Sequence, residues 1–179
     1  MIEIRELNFE NSKQLLNRFQ RLENSYGADW YDCEEERAKY IWLIEDIENP
    51  LGFLSYKVLL HPNKIDFIYI VKIYVLKNYR GRNPKLIEKE RVSEILFRQI
   101  DKKGVNILTL ESACEKLDIY YERLGFKNNK EMSDFFAPII GTNEQIMTKL
   151  IKEPRLSDIE KGLFNLGNFD IIQSKTMRK

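Results

Sequence analysis

Histidine is almost absent, with His61 the single one in 179 residues. That excludes metal sites built on paired imidazoles and argues against a Ser-His-Asp triad. Standing directly before Pro62, His61 reads as a surface turn residue. Cysteine is scarce as well. Cys33 and Cys114 lie far apart with no CxxC spacing, which argues against a zinc knuckle and fits two unpaired thiols in a reducing compartment. Glycine (8) and proline (5) are too few for a long flexible linker, and neither a low-complexity tract nor an internal repeat is present. Charge of one sign is missing too: 29 Lys and Arg against 28 Asp and Glu leave a formal net charge of +1. No global field therefore draws the chain onto nucleic acid or an anionic membrane. The first residues carry no basic stretch followed by an apolar core, and no run approaches the roughly 18 apolar residues of a membrane span. The expected address is the cytoplasm, with no nucleic-acid or membrane partner and no metal.

What is present is a globular composition, 43% hydrophobic and 32% charged, of a size that supports one core without disulfides. Residues 1–7 alternate apolar and charged, as a half-buried strand does. Asn11 and Ser12 offer N-cap chemistry ahead of Leu15, Leu16, Phe19 and Leu22, one apolar stripe of a helix reaching about Asn24. The acidic stretch from Asp32 to Glu36 reads as a turn or short helix. It is either a solvated loop or a surface for a cationic amine. Strands follow at about 39–46 and 51–60, joined through Glu48-Asn49-Pro50 as a hairpin. Residues 65–76, rich in Ile, Val, Tyr and Phe, form the most strand-like stretch and are expected at the centre of the sheet. Trp30, Tyr31, Tyr40 and Trp42 are expected in the core.

Helical spacing returns over about 88–103, with Val92, Leu96, Phe97 and Ile100 on one side and Gly104 as the stop. A strand over 105–111, a helix over about 114–124 closed by Gly125, and a strand over 143–151 complete the order β-α-(α)-β-β-β-α-β-α-β. No element is assigned between Gly125 and Asn143. The pattern predicts an α/β fold, a mixed, mostly antiparallel sheet of six to seven strands with helices on both faces, over residues 1–151. Residues 152–179 are a C-terminal extension. Leu156, Ile159, Leu163 and Leu166 have helical spacing, which leaves packing on the same domain and a homodimer or partner contact both open, and a basic tail follows.

Two segments carry a family resemblance. Ile73-Tyr74-Val75-Leu76-Lys77-Asn78-Tyr79-Arg80-Gly81-Arg82 resembles the L-x-V-x-P-x-Y-R-G-K-G stretch of the GNAT superfamily, the acyl-CoA-dependent N-acyltransferases. Tyr120-Tyr121-Glu122-Arg123-Leu124-Gly125-Phe126 is similar to that family's (F/Y)-Y-E-K-L-G-F, and Ile146-Met147-Thr148-Lys149 resembles its closing strand. The resemblance implies transfer of an acetyl or other acyl group from coenzyme A, acetyl-CoA being the expected donor, to a small-molecule or peptide amine. It also implies that backbone N–H groups at Ile73, Tyr74 and Val75 meet the thioester and pantetheine arm, and that Tyr121 protonates the departing thiolate. A phenol with a pKa near 10 keeps its proton at neutral pH. For the general base, Glu111 at a strand end is the first candidate, with Glu45 and Asp46 as alternatives.

The phosphate loop departs from the family pattern R/Q-x-x-G-x-G/A. Arg80 fits the first position and Gly81 and Arg82 the variable ones, but Asn83 and Lys85 stand where small residues belong. Pro84 between them has no N–H, and the loop is about four residues longer than usual. Side-chain cations at Arg80, Arg82, Lys85, Lys89 and Arg91 can take over phosphate binding; equally, they can form a solvated face balanced by Glu88 and Glu90. Two functions follow: an active N-acyltransferase, or a cofactor-free binding or regulatory module on the same fold.

Overall fold

The computed structural model describes residues 2–23, 37–62 and 65–151. Its elements are β1 (Glu3–Asn8), α1 (Phe9–Glu23), β2 (Lys39–Ile44), β3 (Pro50–His61), β4 (Ile65–Val75), α2 (Val92–Asp101), β5 (Ile107–Glu111), α3 (Glu115–Arg123), β6 (Lys127–Asn128), α4 (Lys130–Ile140) and β7 (Ile146–Leu150), with a 3-10 turn at Lys77–Tyr79. The seven strands hydrogen-bond in the order β1-β2-β3-β4-β5-β7-β6. The expected α/β fold with a mostly antiparallel sheet is the one found, and the expected central strand is its fourth. The chain divides into two compact units, Met1–Lys57 with Ile70–Gly104, and Val58–Tyr69 with Val105–Lys179.

In the first unit β1, β2 and β3 form an antiparallel meander, with Glu6 opposite Ile41 and Leu54 following one residue after Phe53, which faces Trp42. Strand alternation sorts the side chains. Tyr40, Trp42, Ile44 and Phe53 join Leu15, Leu16 and Phe19 of α1 in one cluster. Ile41, Leu43 and Leu54 are buried on the other face, where Val92 of α2 stands 3.0 Å from the position a Gly52 Cβ would take. Helices thus cover both faces here, as expected. Trp42 and Phe53, with ring centroids 4.6 Å apart, sit at the centre. Tyr40 and Trp42 are core residues as expected; Trp30 and Tyr31 lie outside the described residues.

The helix starts differ from expectation for local reasons. Asn8, not Asn11 or Ser12, caps α1: its Oδ1 accepts from the Asn11 N–H at 2.9 Å. Ser12 lies on the buried face, where its hydroxyl accepts from the Trp42 indole at 3.1 Å. Leu22, assigned to the apolar stripe, is exposed. The helix expected from Glu88 starts at Val92. Glu88 and Lys89 take left-handed conformations (φ 49° and 73°) in a two-residue turn, and Ile87 and Glu90 exchange backbone hydrogen bonds of 2.9 and 2.8 Å across it. The buried stripe Val92, Leu96, Phe97 and Ile100 is as read from the spacing.

In the second unit β5 and β7 pair antiparallel, Thr109 opposite Thr148 and Glu111 opposite Ile146. Helix α4 has no counterpart in the expected order. Asn129 caps it by accepting from the Met132 N–H at 3.2 Å, and Gly141 ends it in the left-handed region at φ 84°. Pro138 removes one backbone donor in the last turn, where the helix is ending anyway. Met132 and Phe136 pack on Ile65, Phe67 and Ile107. His61, expected on a surface turn, is buried and stacks on Phe135 at 3.9 Å between ring centroids, with 11° between the planes. Burial lowers its pKa, partly offset by a backbone hydrogen bond at Phe135. The stretch from Asp32 to Glu36, Cys33 and residues 152–179 lie outside the described residues. Cys114 is a free, exposed thiol.

Candidate functional site

The first unit holds the strand exit and the loop matched to donor binding. Val71 and Tyr74, three residues apart, both pack against the α1 cluster. Strict alternation would put them on opposite faces, so the strand departs from it between them. Gly52 of β3 is what lets the exit run where it does. A Cβ there would meet the Tyr74 carbonyl oxygen at 2.7 Å and the Val75 Cα at 3.3 Å. The Leu76 N–H then donates to the Leu51 carbonyl at 3.0 Å, and the chain turns through Lys77–Tyr79.

The loop after this turn is held at its base by Glu23, the last residue of α1. One carboxylate oxygen accepts from the Lys77 N–H and the other from the Arg80 guanidinium, each at 2.7 Å. The Glu23 side chain is only 10% exposed, so its carboxylate is sheltered, whereas the Arg80 side chain is half-exposed. Arg80 therefore begins with its charge engaged. Lys85 is engaged too. Its ammonium lies 5.2 Å from the Tyr79 ring centroid, and its pKa is raised, first by a hydrogen bond with the Tyr79 hydroxyl, then by the Tyr79 and Glu45 charges. Its N–H bonds the Asn78 carbonyl at 2.8 Å.

Gly81, Arg82 and Asn83 differ from these neighbours. All three are exposed, Gly81 has φ 90°, and among the described residues their N–H groups donate to nothing. Arg82 and Lys89 have no ion-pair partner among the described residues, whereas Arg91 donates to the Gly81 carbonyl at 3.2 Å and approaches Glu94 at 4.0 Å. The start of α2 is occupied from within: the Glu94 carboxylate accepts from the Arg91 N–H at 3.3 Å. A helix N-terminus already facing a carboxylate attracts a phosphate less than an open one does.

The second unit holds the proton-handling candidates. Tyr121 is the buried residue of α3, 6% exposed, and its ring meets Phe126 at 6.0 Å and Tyr120 at 5.5 Å. Burial, with smaller contributions from Tyr120, Cys114 and Asp118, pushes its phenol up to about 12. Its carbonyl accepts from the Leu124 and Phe126 N–H groups at 3.0 and 3.1 Å, and Gly125 at φ 92° makes that reversal. Tyr120 and Leu124, read as core, are half-buried; Phe126 is fully buried.

Glu111 ends β5 as expected and is half-buried. The Tyr69 hydroxyl of β4 donates to its Oε1 at 3.1 Å. Next to them the Thr109 hydroxyl donates to the Ile68 carbonyl at 3.1 Å. The alternative bases lie elsewhere. Asp46 organises the β2–β3 turn by accepting from the Asn49 amide and from the Glu48 and Asn49 N–H groups, contacts that lower its pKa, the Asn49 side chain most. Glu45 is exposed at the same turn.

Glu23, Tyr69 and Gly52 were not legible as site residues. Gly52 alone had a local signal, a glycine inside an apolar strand pattern, which marks close approach of another backbone. Among the described residues no group of His, Cys, Asp and Glu is placed to hold a metal, and no helix is long and apolar enough to cross a membrane.

Residues 3–83 match the Acetyltransferase (GNAT) family, a stretch that runs from β1 through the strand exit to Asn83. No curated protein matches the sequence. Among solved structures, an acetyltransferase of the GNAT family from Staphylococcus aureus Mu50 is 16% identical with a TM-score of 0.56, covering 85% of this chain and 100% of that one. Tetrahymena GCN5 is 14% identical with a TM-score of 0.56, covering 86% and 98%. The GNAT family N-acetyltransferase YhbS from Escherichia coli, solved in complex with CoA, is 12% identical with a TM-score of 0.54, covering 84% and 82%. At such identities the likeness is one of fold. Residues 3–83 are matched by the Acetyltransferase (GNAT) family, and the chain shares the fold of these acetyltransferases.

Proposed function

We propose that the chain is an active N-acyltransferase that moves an acetyl, or another acyl, group from coenzyme A to a primary amine of a small molecule or peptide in the cytoplasm. The observation that carries this reading is the stretch Gly81–Asn83, where three consecutive N–H groups and the Arg82 side chain are uncommitted among the described residues. Consecutive free backbone donors with an adjacent guanidinium fit a pyrophosphate, even though Pro84 interrupts the family's small-residue pattern. Ile73, Tyr74 and Val75 would hold the pantetheine arm and the thioester oxygen through N–H groups at the irregular strand exit. Arg80 and Lys85 support the loop from their contacts with Glu23 and Tyr79.

In the proposed reaction Glu111 takes a proton from the ammonium or amine, directly or through water, and Tyr69 steadies the resulting geometry by its hydrogen bond. The new C–N bond forms as the C–S bond breaks. Tyr121 donates its proton to the sulfur, for which a phenol that stays protonated across the neutral range is suited. The donor in this reading is acetyl-CoA.

A second reading is favoured by the Glu23–Arg80 pair and the Glu94-capped start of α2, which together take two anion-binding features out of use: a cofactor-free binding or regulatory module. Calorimetric titration with acetyl-CoA separates the two. Binding in the micromolar range that weakens at least tenfold in Arg82→Ala supports the enzyme. Absence of heat and of thermal shift at millimolar acetyl-CoA leaves the module.

A further inference from the structure

Strand β3 pairs with β2 only as far as Tyr56, and beyond that point it carries the two most exposed large apolar side chains among the described residues. Val58 is 55% and Leu60 62% exposed. They are two residues apart on one face, while Leu59 between them packs inward with Ile65, Phe67 and Leu150. Two large apolar side chains left exposed on one strand face mark a surface that another segment can cover.

We propose that this face is the docking surface of the chain's own C-terminal segment, residues 156–166. The place where the described chain ends argues for that occupant over others. Leu59 and Leu150 pack in the same cluster, and Leu150 is followed by Ile151, whose N–H bonds the Asn106 carbonyl at 2.8 Å. The chain therefore leaves β7 at the end of the sheet where Val58 and Leu60 stand. In the order β3-β4-β5-β7 that exit is three strand spacings from β3, about 14 Å at ~4.8 Å each. The four residues Lys152-Glu153-Pro154-Arg155 span about the same distance when extended, at ~3.3–3.6 Å per residue. They bring Leu156 to the patch. From there Leu156, Ile159, Leu163 and Leu166 recur at helical spacing, one apolar stripe matched to one apolar strand face. Pro154 in the connection suits an extended link. The inference is independent of the acyltransferase reading.

Hydrogen exchange on the full chain tests it, with Leu60→Lys on the surface and Leu163→Lys on the segment. Leu60 is exposed, so its replacement leaves the core intact, and unchanged exchange of β5 and β7 amides serves as the control for folding. The expected result is slowing of the amides of residues 156–166 by about tenfold or more in the unaltered chain, lost in both variants and the same at every protein concentration. Three results would each overturn the proposal. Residues 156–166 exchange at the unprotected rate in the unaltered chain; they stay protected in Leu60→Lys; or their protection disappears on dilution, which assigns the face to a second copy. Should Leu60→Lys alter the β5 or β7 amides, Val58→Lys and the segment variant give the same decision.

Discussion

Replacing Tyr121 by Phe removes one oxygen from a buried ring and leaves its packing on Tyr120 and Phe126 in place. The phenol is pushed up to about 12 by burial, about five units above neutral pH, so ionising it there costs about 7 kcal/mol. A leaving thiolate near the ordinary thiol pKa of about 8.5 is a weaker base than that phenolate. In the proposed reaction complete transfer is therefore uphill, and the proton is shared with the sulfur as the C–S bond lengthens. Loss of such a positioned acid lowers turnover by about 10²–10⁴-fold. Donor affinity should change little, because a phenol that acts on the departing sulfur contributes most when charge develops there. The assay is release of free thiol from acetyl-CoA in the presence of a panel of primary amines, with donor affinity measured by calorimetry. The pH profile adds a second constraint. A required protonated phenol with a raised pKa stays competent well past pH 10, so no alkaline limb from Tyr121 is expected below that value. An unaltered rate in Tyr121→Phe would refute the assignment, whereas a limb near pH 10 that vanishes in that variant would refute the raised pKa.

Gly52→Ala places a methyl 2.7 Å from the Tyr74 carbonyl oxygen and 3.0 Å from Val92 Cγ1, and backbone cannot yield as a side-chain tip does. Overpacking of this kind costs about 1–3 kcal/mol, or about 2–12 °C in melting temperature for a chain of this size, and acetyl-CoA should bind more weakly because the β4 exit moves. An unchanged melting temperature contradicts the close approach. His61 is held neutral by burial, so its folded pKa lies below the unfolded value near 6.5. The unfolded chain takes up the proton first; the stability contributed is present above about pH 6.5 and lost as pH falls below it. Denaturant melts between pH 7.5 and 5 should show this loss, and His61→Phe, which keeps a ring against Phe135, should flatten it; parallel curves for the two proteins would exclude His61 as the source.

How much of this was legible depended on the range of the contacts involved. Elements bounded by their own residues were readable: the strand before Lys77, the stripe of α2, the reversal at Gly125. The start of α2 was not. The charged residues Glu88 to Arg91 extend the helical pattern smoothly, and only the paired backbone bonds between Ile87 and Glu90 divert them into a turn. Ser12 misled because a hydroxyl near a helix start has two uses, capping and burial, and the deciding partner, Trp42, is 30 residues away. Helix α4 carried a signature, Asn129 ahead of it and Gly141 behind, that Pro138 disguised. His61 looked like a turn residue because its stacking partner Phe135 lies on that same unassigned helix.

The site divides along the same line. Glu111 at the end of β5 and Tyr121 in the last turn of α3 stand on the elements where the sequence placed them, because each lies in a recognisable local context. Glu23 and Tyr69 were not legible, because a carboxylate at a helix end and a tyrosine in an apolar strand are ordinary until their partners are known. Yet Glu23 changes how the loop is understood. In the sequence Arg80 fits the first position of the family pattern and Arg82 a variable one, with both among the cations that can hold the phosphates. The Arg80 guanidinium is instead paired with a sheltered carboxylate that also holds the Lys77 N–H. Drawing Arg80 to a phosphate would leave Glu23 buried with one charged partner fewer, a cost of the order of 1–3 kcal/mol that the phosphate contact must first exceed. Arg82 faces no such competition. If the loop binds the donor, the residue that sequence ranked as variable carries more of the affinity than the one it ranked as fixed.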